Sequence, residues 1–189
     1  MSDRLSRRRF LRLSGAGAAG GSAVLLAACG DGGGGPAVAP GPDESDQADI
    51  EILNGVLDLE LRAIEAYKTG AAQLTGSALE VVKRFLAQEQ EHADGLSQAI
   101  EDMGGTPNEP KASYDFPQLR SQRDVLRFAV ELENSAIAAY IDALPKLSEN
   151  DLRATAAAII TNEAEHLALL LDALGRDPAP DAFVTGRLA

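Results

Sequence analysis

The sequence contains Glu89-Gln90-Glu91-His92 and, 74 residues later, Glu163-Ala164-Glu165-His166. In each stretch a glutamate and a histidine stand three residues apart, so on a helix they lie on one face, one turn apart. A second pair of similar segments precedes them, since Leu-Glu-x-x-Ala-Ile-x-Ala-Tyr occurs at 59–67 and again at 132–140. The chain therefore repeats one helix pair, and each copy carries a Glu followed by a Glu-x-x-His.

The composition favours an all-α domain. Apolar residues make up 45% of the chain but aromatic residues only 4%, which suits closely packed helices better than a β-sandwich. The single cysteine excludes a disulfide framework and a thiolate metal site. The net charge is −12, and residues 1–28 contribute +4, so the remainder carries −16 (−12 − 4). Such an acidic domain should repel nucleic acid and attract cations.

The first 28 residues have the pattern of an export signal. Ser6-Arg7-Arg8-Arg9-Phe10-Leu11-Arg12 resembles a twin-arginine signal, and Leu26-Ala27-Ala28-Cys29 resembles a lipobox. The alternative is a basic arm followed by an idle cysteine. The export reading predicts a lipoprotein that is anchored to a membrane surface through Cys29 and faces the periplasm or the cell exterior. Residues 29–45, rich in Gly and Pro, are then a flexible linker.

Apolar stripes at helical spacing predict a four-helix domain over residues 46–175. The predicted helices run from about 46 to 74, from a capping box at Ser77 and Glu80 to Gly104, from Ser121 to Pro145, and from a cap at Ser148 to Gly175. The tail, 176–189, is too short and too broken by proline for a substantial fifth helix.

The connections between these helices are short, long and short. A short link makes neighbouring helices antiparallel, but the segment from Thr106 to Arg120 is much longer. Its roughly 15 residues can extend about 50 Å, whereas a helix of about 26 residues is roughly 39 Å long. The link can therefore cross the whole bundle and make helices 2 and 3 parallel, the one-crossover topology of ferritin-like bundles.

Six polar residues occupy positions where their helices should be apolar: Glu60, Glu89, His92, Glu133, Glu163 and His166. Burying unpaired carboxylates costs several kcal/mol, and the inward faces offer no Lys or Arg, so two divalent cations are the natural partners. Carboxylate and imidazole ligands suit iron or manganese, and zinc can take their place. The alternative places all six on the surface of acidic helices. Glutamates off the stripe are predicted to be solvated: Glu51, Glu65, Glu91, Glu131 and Glu165.

With this ligand set, residues 46–175 resemble the ferritin-like di-iron carboxylate proteins, bacterioferritin and rubrerythrin among them. The tail from Pro180 to Gly186 is similar to that of exported ferritin-like domains. The resemblance implies that Glu89 and Glu163 bridge two iron ions. The two remaining ligand pairs it implies are Glu60 with His92 and Glu133 with His166. It also makes Tyr67 and Tyr140 candidate catalytic residues that hydrogen-bond ligand carboxylates, although both could be ordinary core aromatics. Gln88 and Asn162 are candidates to support the ligands.

The resemblance implies a di-iron enzyme that oxidises Fe(II) with O2 or peroxide. The chain has no Cys-x-x-Cys module, so an external electron donor would be needed. The lipid anchor and the lack of a fifth helix argue against a closed storage cage, while a homodimer is compatible with both. Two other functions stay open: a non-catalytic metal-binding or stress-protective surface lipoprotein, and a structural bundle whose acidic exterior binds a partner.

Overall fold

The structure, a computed structural model, describes residues 42–187. Within this range the chain forms four α-helices and no strand. The helices are α1 (Glu44–Gly70), α2 (Gly76–Asp102), α3 (Gln122–Ala143) and α4 (Asn150–Ala173), and a 3₁₀ turn, Ala71–Gln73, follows α1. The predicted all-α, four-helix architecture is confirmed. No helix in the described range combines the length and the apolar character that a membrane-spanning segment requires.

Several predicted features lie outside the described residues. They are the export signal at 1–28, the lipidation site at Cys29 and most of the 29–45 linker. The end of that linker is described, and there α1 begins at Glu44, two residues earlier than predicted. The reason is local, because the side chain of Asp43 accepts hydrogen bonds from the backbone N–H groups of Ser45 (2.9 Å) and Asp46 (3.0 Å) and caps the helix.

The turn between α1 and α2 is short, so these helices lie antiparallel. Gly76 has a φ of +57°, which few residues other than glycine adopt. Thr75 takes the extended conformation of an N-cap residue (φ −140°, ψ 162°) and makes no side-chain capping bond. The predicted capping box at Ser77 and Glu80 was wrong, because α2 already begins at Gly76 and Ser77 lies inside its first turn.

The connection between α2 and α3 runs along the length of α1. At one end the side chain of Asn54 accepts a hydrogen bond from the backbone of Asn108 (2.7 Å) and donates to that of Thr106 (3.2 Å). At the other end the side chain of Gln122 accepts a hydrogen bond from Thr75, in the α1–α2 turn (3.2 Å). Because α2 and α3 both start at the Thr75 end, they are parallel. The predicted crossover is confirmed.

A buried carboxylate joins the α3–α4 turn to α1. Asp49 is fully buried, and it accepts hydrogen bonds from the backbone N–H (2.9 Å) and the hydroxyl (2.7 Å) of Ser148. The prediction that Ser148 caps α4 was wrong, because Asp49 takes its hydroxyl and Glu149 is the N-cap residue. The predicted start of α3 at Ser121 is confirmed, since the hydroxyl of Ser121 accepts a hydrogen bond from the backbone N–H of Asp124 at 3.2 Å.

We expect Asp49→Ala to lower the free energy of unfolding by about 2 kcal/mol, because it removes two hydrogen bonds to a buried carboxylate. The measurement is urea denaturation followed by circular dichroism. Asp58→Ala is the matched control, since Asp58 lies on the same helix and accepts its hydrogen bond from Asn108 at an exposed position. Equal losses in the two variants would contradict a structural role for the buried carboxylate.

Two apolar clusters fill the interior of the bundle, one on each side of a polar layer. On α2, Phe85 belongs to one cluster and Ala93 to the other. On α4, Leu167 and Ile159 are divided in the same way. The six predicted ligands lie where one cluster gives way to the other, so apolar side chains separate them from both ends of the bundle.

The described part of the tail, 176–187, contains no helix, as predicted. Gly186 has a φ of +68° and lies directly against α3, where a Cβ atom would overlap the backbone of Asn134 and Ala138. The tail therefore packs on the outside of the bundle and contributes nothing to the polar layer.

Candidate metal centre

All four helices contribute to the polar layer. The contributions are Glu60 from α1, Glu89 and His92 from α2, Glu133 from α3, and Glu163 and His166 from α4. The His92 side chain is 10% exposed and the other five are at most 1% exposed. The glutamates predicted to be solvated lie at the surface: Glu51, Glu91, Glu131 and Glu165 are exposed, and the Glu65 side chain is 47% exposed. The structure thus brings the six candidates together, and their role as ligands stays a prediction.

The six side chains form two overlapping groups. One group is Glu60, Glu89, His92 and Glu163, and the other is Glu89, Glu133, Glu163 and His166. Within each group, one ligand atom per residue lies within 4.8 Å of the others. Nδ1 of His92 is 3.0 Å from Oε1 of Glu163, and Nδ1 of His166 is 3.1 Å from Oε1 of Glu89. Glu89 and Glu163 belong to both groups, which is the placement that two bridging carboxylates require.

The two tyrosines hold the glutamates that belong to one group only. The hydroxyl of Tyr67, on α1, donates to Oε1 of Glu133 on α3. The hydroxyl of Tyr140, on α3, donates to Oε1 of Glu60 on α1. Burial and the adjacent carboxylate raise the pKa of both hydroxyls well above the usual value, so both keep their protons at neutral pH. Each tyrosine therefore fixes the orientation of one carboxylate from the opposite helix.

Several ligand atoms are buried with no hydrogen-bond partner among residues 42–187. They are Oε1 of Glu89, both carboxylate oxygens of Glu163, and Nδ1 of His92 and of His166. An unsatisfied buried polar atom costs about 1–3 kcal/mol, and these atoms converge on the same space. Two cations would satisfy them all. Oxygen and nitrogen donors without sulfur fit iron or manganese, and also zinc, so the residues present suit the predicted metals.

The electrostatics of the metal-free cluster are consistent with that role. Burial raises the pKa of Glu60 and Glu133 well above the usual carboxyl value. Burial lowers an imidazole pKa, but the three carboxylates next to each ring outweigh it and raise the pKa of His92 to about 12 and that of His166 to about 11. For Glu89 and Glu163 burial raises the carboxyl pKa, but the adjacent imidazoles and carboxyl groups outweigh it and lower the pKa.

These shifts favour a positive charge on the two imidazoles and the protonated form of Glu60 and Glu133. A divalent cation that binds to these side chains must therefore displace protons from them.

His166 has partners that sequence reasoning identified only in part. Its Nε2–H donates to Oε1 of Gln88 at 3.0 Å, so Nδ1 faces the carboxylates. The sequence indicated Gln88 as a residue that supports a ligand, because Gln88 and Asn162 occupy equivalent positions in the repeat. The Phe85 ring stacks on the imidazole with centroids 3.9 Å apart, which the sequence indicated only as an apolar stripe position.

The sequence of the four-helix domain matches a known protein family. A family model for the ferritin-like domain matches residues 48–176, which covers all four helices except the first four residues of α1. The chain belongs to the ferritin-like domain family. The resemblance read from the ligand repeat is thereby confirmed. A sequence comparison of this ferritin-like protein with curated proteins found no match.

Solved structures similar to this ferritin-like protein include three from bacteria. A conserved hypothetical protein of Mycobacterium tuberculosis is 26% identical with a TM-score of 0.67, over 74% of this chain and 99% of that chain. A ferritin-like, diiron-carboxylate protein of Bacillus anthracis is 28% identical with a TM-score of 0.60, over 70% and 99%. The Desulfovibrio desulfuricans bacterioferritin, 21% identical with a TM-score of 0.64 over 70% and 81%, shares the fold.

Proposed function

We propose that this ferritin-like protein holds a pair of iron ions and oxidises Fe(II) with O2 or peroxide. The observation that carries the proposal is the pair of overlapping ligand groups that share Glu89 and Glu163. If the two groups shared only one carboxylate, a single metal ion in one group would explain the arrangement. Two shared carboxylates, each flanked by its own histidine and terminal glutamate, favour two ions side by side.

The protein's own residues would hold and shield such a centre. Bound iron would supply the electrons, one from each of two Fe(II) ions. With two protons, these two electrons would convert peroxide to two waters or O2 to hydrogen peroxide. Tyr67 and Tyr140 orient the terminal glutamates through their hydroxyls. Gln88 keeps Nδ1 of His166 unprotonated when a cation occupies the site. The apolar clusters above and below exclude bulk water.

The proposal also includes the cellular setting. A twin-arginine signal suits a metalloprotein, because that route exports folded chains and allows metal to be loaded beforehand. Cys29 would then carry the lipid, and the Gly- and Pro-rich linker would hold the domain off the membrane surface. Since the sequence contains no Cys-x-x-Cys module, the reductant would be another protein or a small molecule.

The test is an anaerobic titration of the full chain with Fe(II), with bound metal measured after desalting. We expect saturation at two ions per chain, then loss of Fe(II) and a change in the absorption spectrum when O2 or peroxide is added. The oxidant that acts faster identifies the substrate. Two bound ions without oxidation would favour the non-catalytic metal-binding alternative. Binding below stoichiometry would contradict the proposed centre.

A further inference from the structure

The two halves of the candidate centre are related by the internal repeat but are not equally closed. His92 and His166 occupy equivalent positions, yet the His92 side chain is 10% exposed and that of His166 is 1% exposed. The residues around each histidine can be compared pairwise across the repeat. The pairs are Phe85 with Ile159, Gln88 with Asn162, and Gly95 with Leu169.

All three positions close the His166 half. Phe85 covers one face of the imidazole, with the two rings 25° from parallel. Gln88 reaches Nε2 at 3.0 Å. Leu169, one turn beyond His166, carries a large side chain at the surface, with 45% of its area exposed. Side chains on a helix lean toward its N-terminus, so Leu169 lies over the turn that carries the histidine.

The same three positions leave the His92 half open. Ile159 has no aromatic ring to stack on the imidazole. Gly95, one turn beyond His92, is exposed, and a Cβ atom there would meet no atom within 4 Å. By the same helical geometry, Gly95 places no side chain over the turn that carries His92.

Asn162 adds a polar group on this side. It is one methylene shorter than Gln88, its counterpart, and its Oδ1 is buried without a hydrogen-bond partner among the described residues. It directly precedes Glu163, whose Oε1 lies 3.0 Å from Nδ1 of His92. An unsatisfied buried acceptor at this point can bind a water carried by an incoming cation.

We propose that divalent cations enter and leave the centre past His92, through an access route bounded by Gly95 and Asn162. The inference rests on the proposed metal centre, because it concerns how that centre is filled. It makes Gly95 a position that controls the rate of exchange, while the ligands alone set the affinity.

The test uses Zn²⁺ and the full chain. Rates of binding and of release to a chelating dye are measured by stopped flow, and the dissociation constant is measured separately at equilibrium. In Gly95→Leu we expect both rates to fall about tenfold while the dissociation constant and the stoichiometry stay unchanged, since an obstructed path raises the barrier in both directions equally. Gly95→Ala, which adds only a Cβ atom, should behave like the unmodified protein.

Gly55→Leu is the matched control, because Gly55 is also an exposed helical glycine with open space at its Cβ position, on α1. Unchanged rates in Gly95→Leu would overturn the access route and leave the proposed function intact. A change in the dissociation constant would also overturn it, because Gly95 would then act through the ligands. Failure of the unmodified protein to bind two Zn²⁺ ions would overturn the proposed centre together with the route.

Discussion

Glu163→Ala is expected to abolish the binding of both metal ions, whereas Glu133→Ala should abolish the binding of one. The reason is the shared position of Glu163, whose carboxylate belongs to both ligand groups while that of Glu133 belongs to one. Loss of a residue that only supports a ligand typically weakens metal binding 10–100-fold, so loss of a ligand should weaken it more than about 100-fold. Isothermal titration with Zn²⁺ would give the stoichiometry and affinity of each variant. Glu89→Ala should behave like Glu163→Ala, because Glu89 is shared in the same way.

The control for this series is Glu131→Ala, which removes an exposed carboxylate two residues from Glu133 and should bind two ions. Removing one member of a buried charge cluster can unfold a domain, so circular dichroism must accompany each titration. Glu163→Gln keeps the volume of the side chain and serves if the alanine variant does not fold. A Glu163 variant that is folded and still binds two ions would refute the bridging assignment.

Much of this architecture could be predicted because the sequence repeats. A carboxylate on an apolar stripe is ambiguous when it occurs once, but the match between Glu60 and Glu133, and between the two Glu-x-x-His segments, fixed their phase on four helices. Link lengths predicted the crossover for a similar reason. Antiparallel neighbouring helices can be joined by a short link, so a link long enough to span the bundle indicates parallel helices.

What the sequence could not supply depends on contacts between distant residues. Ser148 has the spacing of a helix cap, yet its hydroxyl bonds to Asp49, 99 positions away. Glu149 takes the cap position instead. Asp49 is in phase with the apolar stripe of α1, four residues before Leu53, but the local pattern does not identify Ser148 as its partner. The stacking of Phe85 on His166 is equally invisible, because an apolar stripe position carries no information about which ring it touches.

The difference in exposure between the two halves of the centre could be predicted only in part. The repeat allows Gly95 to be aligned with Leu169 from the sequence alone. The structure gives this difference a meaning, because His92 is 10% exposed, His166 is 1% exposed and the Cβ position of Gly95 is open. An internal repeat therefore predicts which six side chains converge, but it does not predict how exposed each half of the cluster is, because the residues around equivalent positions differ.

Saturation with Zn²⁺ is expected to raise the Tm of the full chain by roughly 10–20 °C. The unfolded chain has no preformed site, so each ion stabilises the folded state by about 2.7 kcal/mol when free metal is 100 times the dissociation constant. Two such sites give about 5 kcal/mol, and each kcal/mol moves Tm by about 2–4 °C in a chain of this size.

The measurement is a thermal melt followed by circular dichroism, with Zn²⁺, with a chelator, and with Zn²⁺ added back. Glu131→Ala should retain the full shift, because its carboxylate is exposed and outside both ligand groups. Glu163→Ala should lose nearly all of it, which separates binding at the centre from weak association with the acidic surface. Equal Tm values with metal and with chelator would contradict metal binding at the six converging side chains.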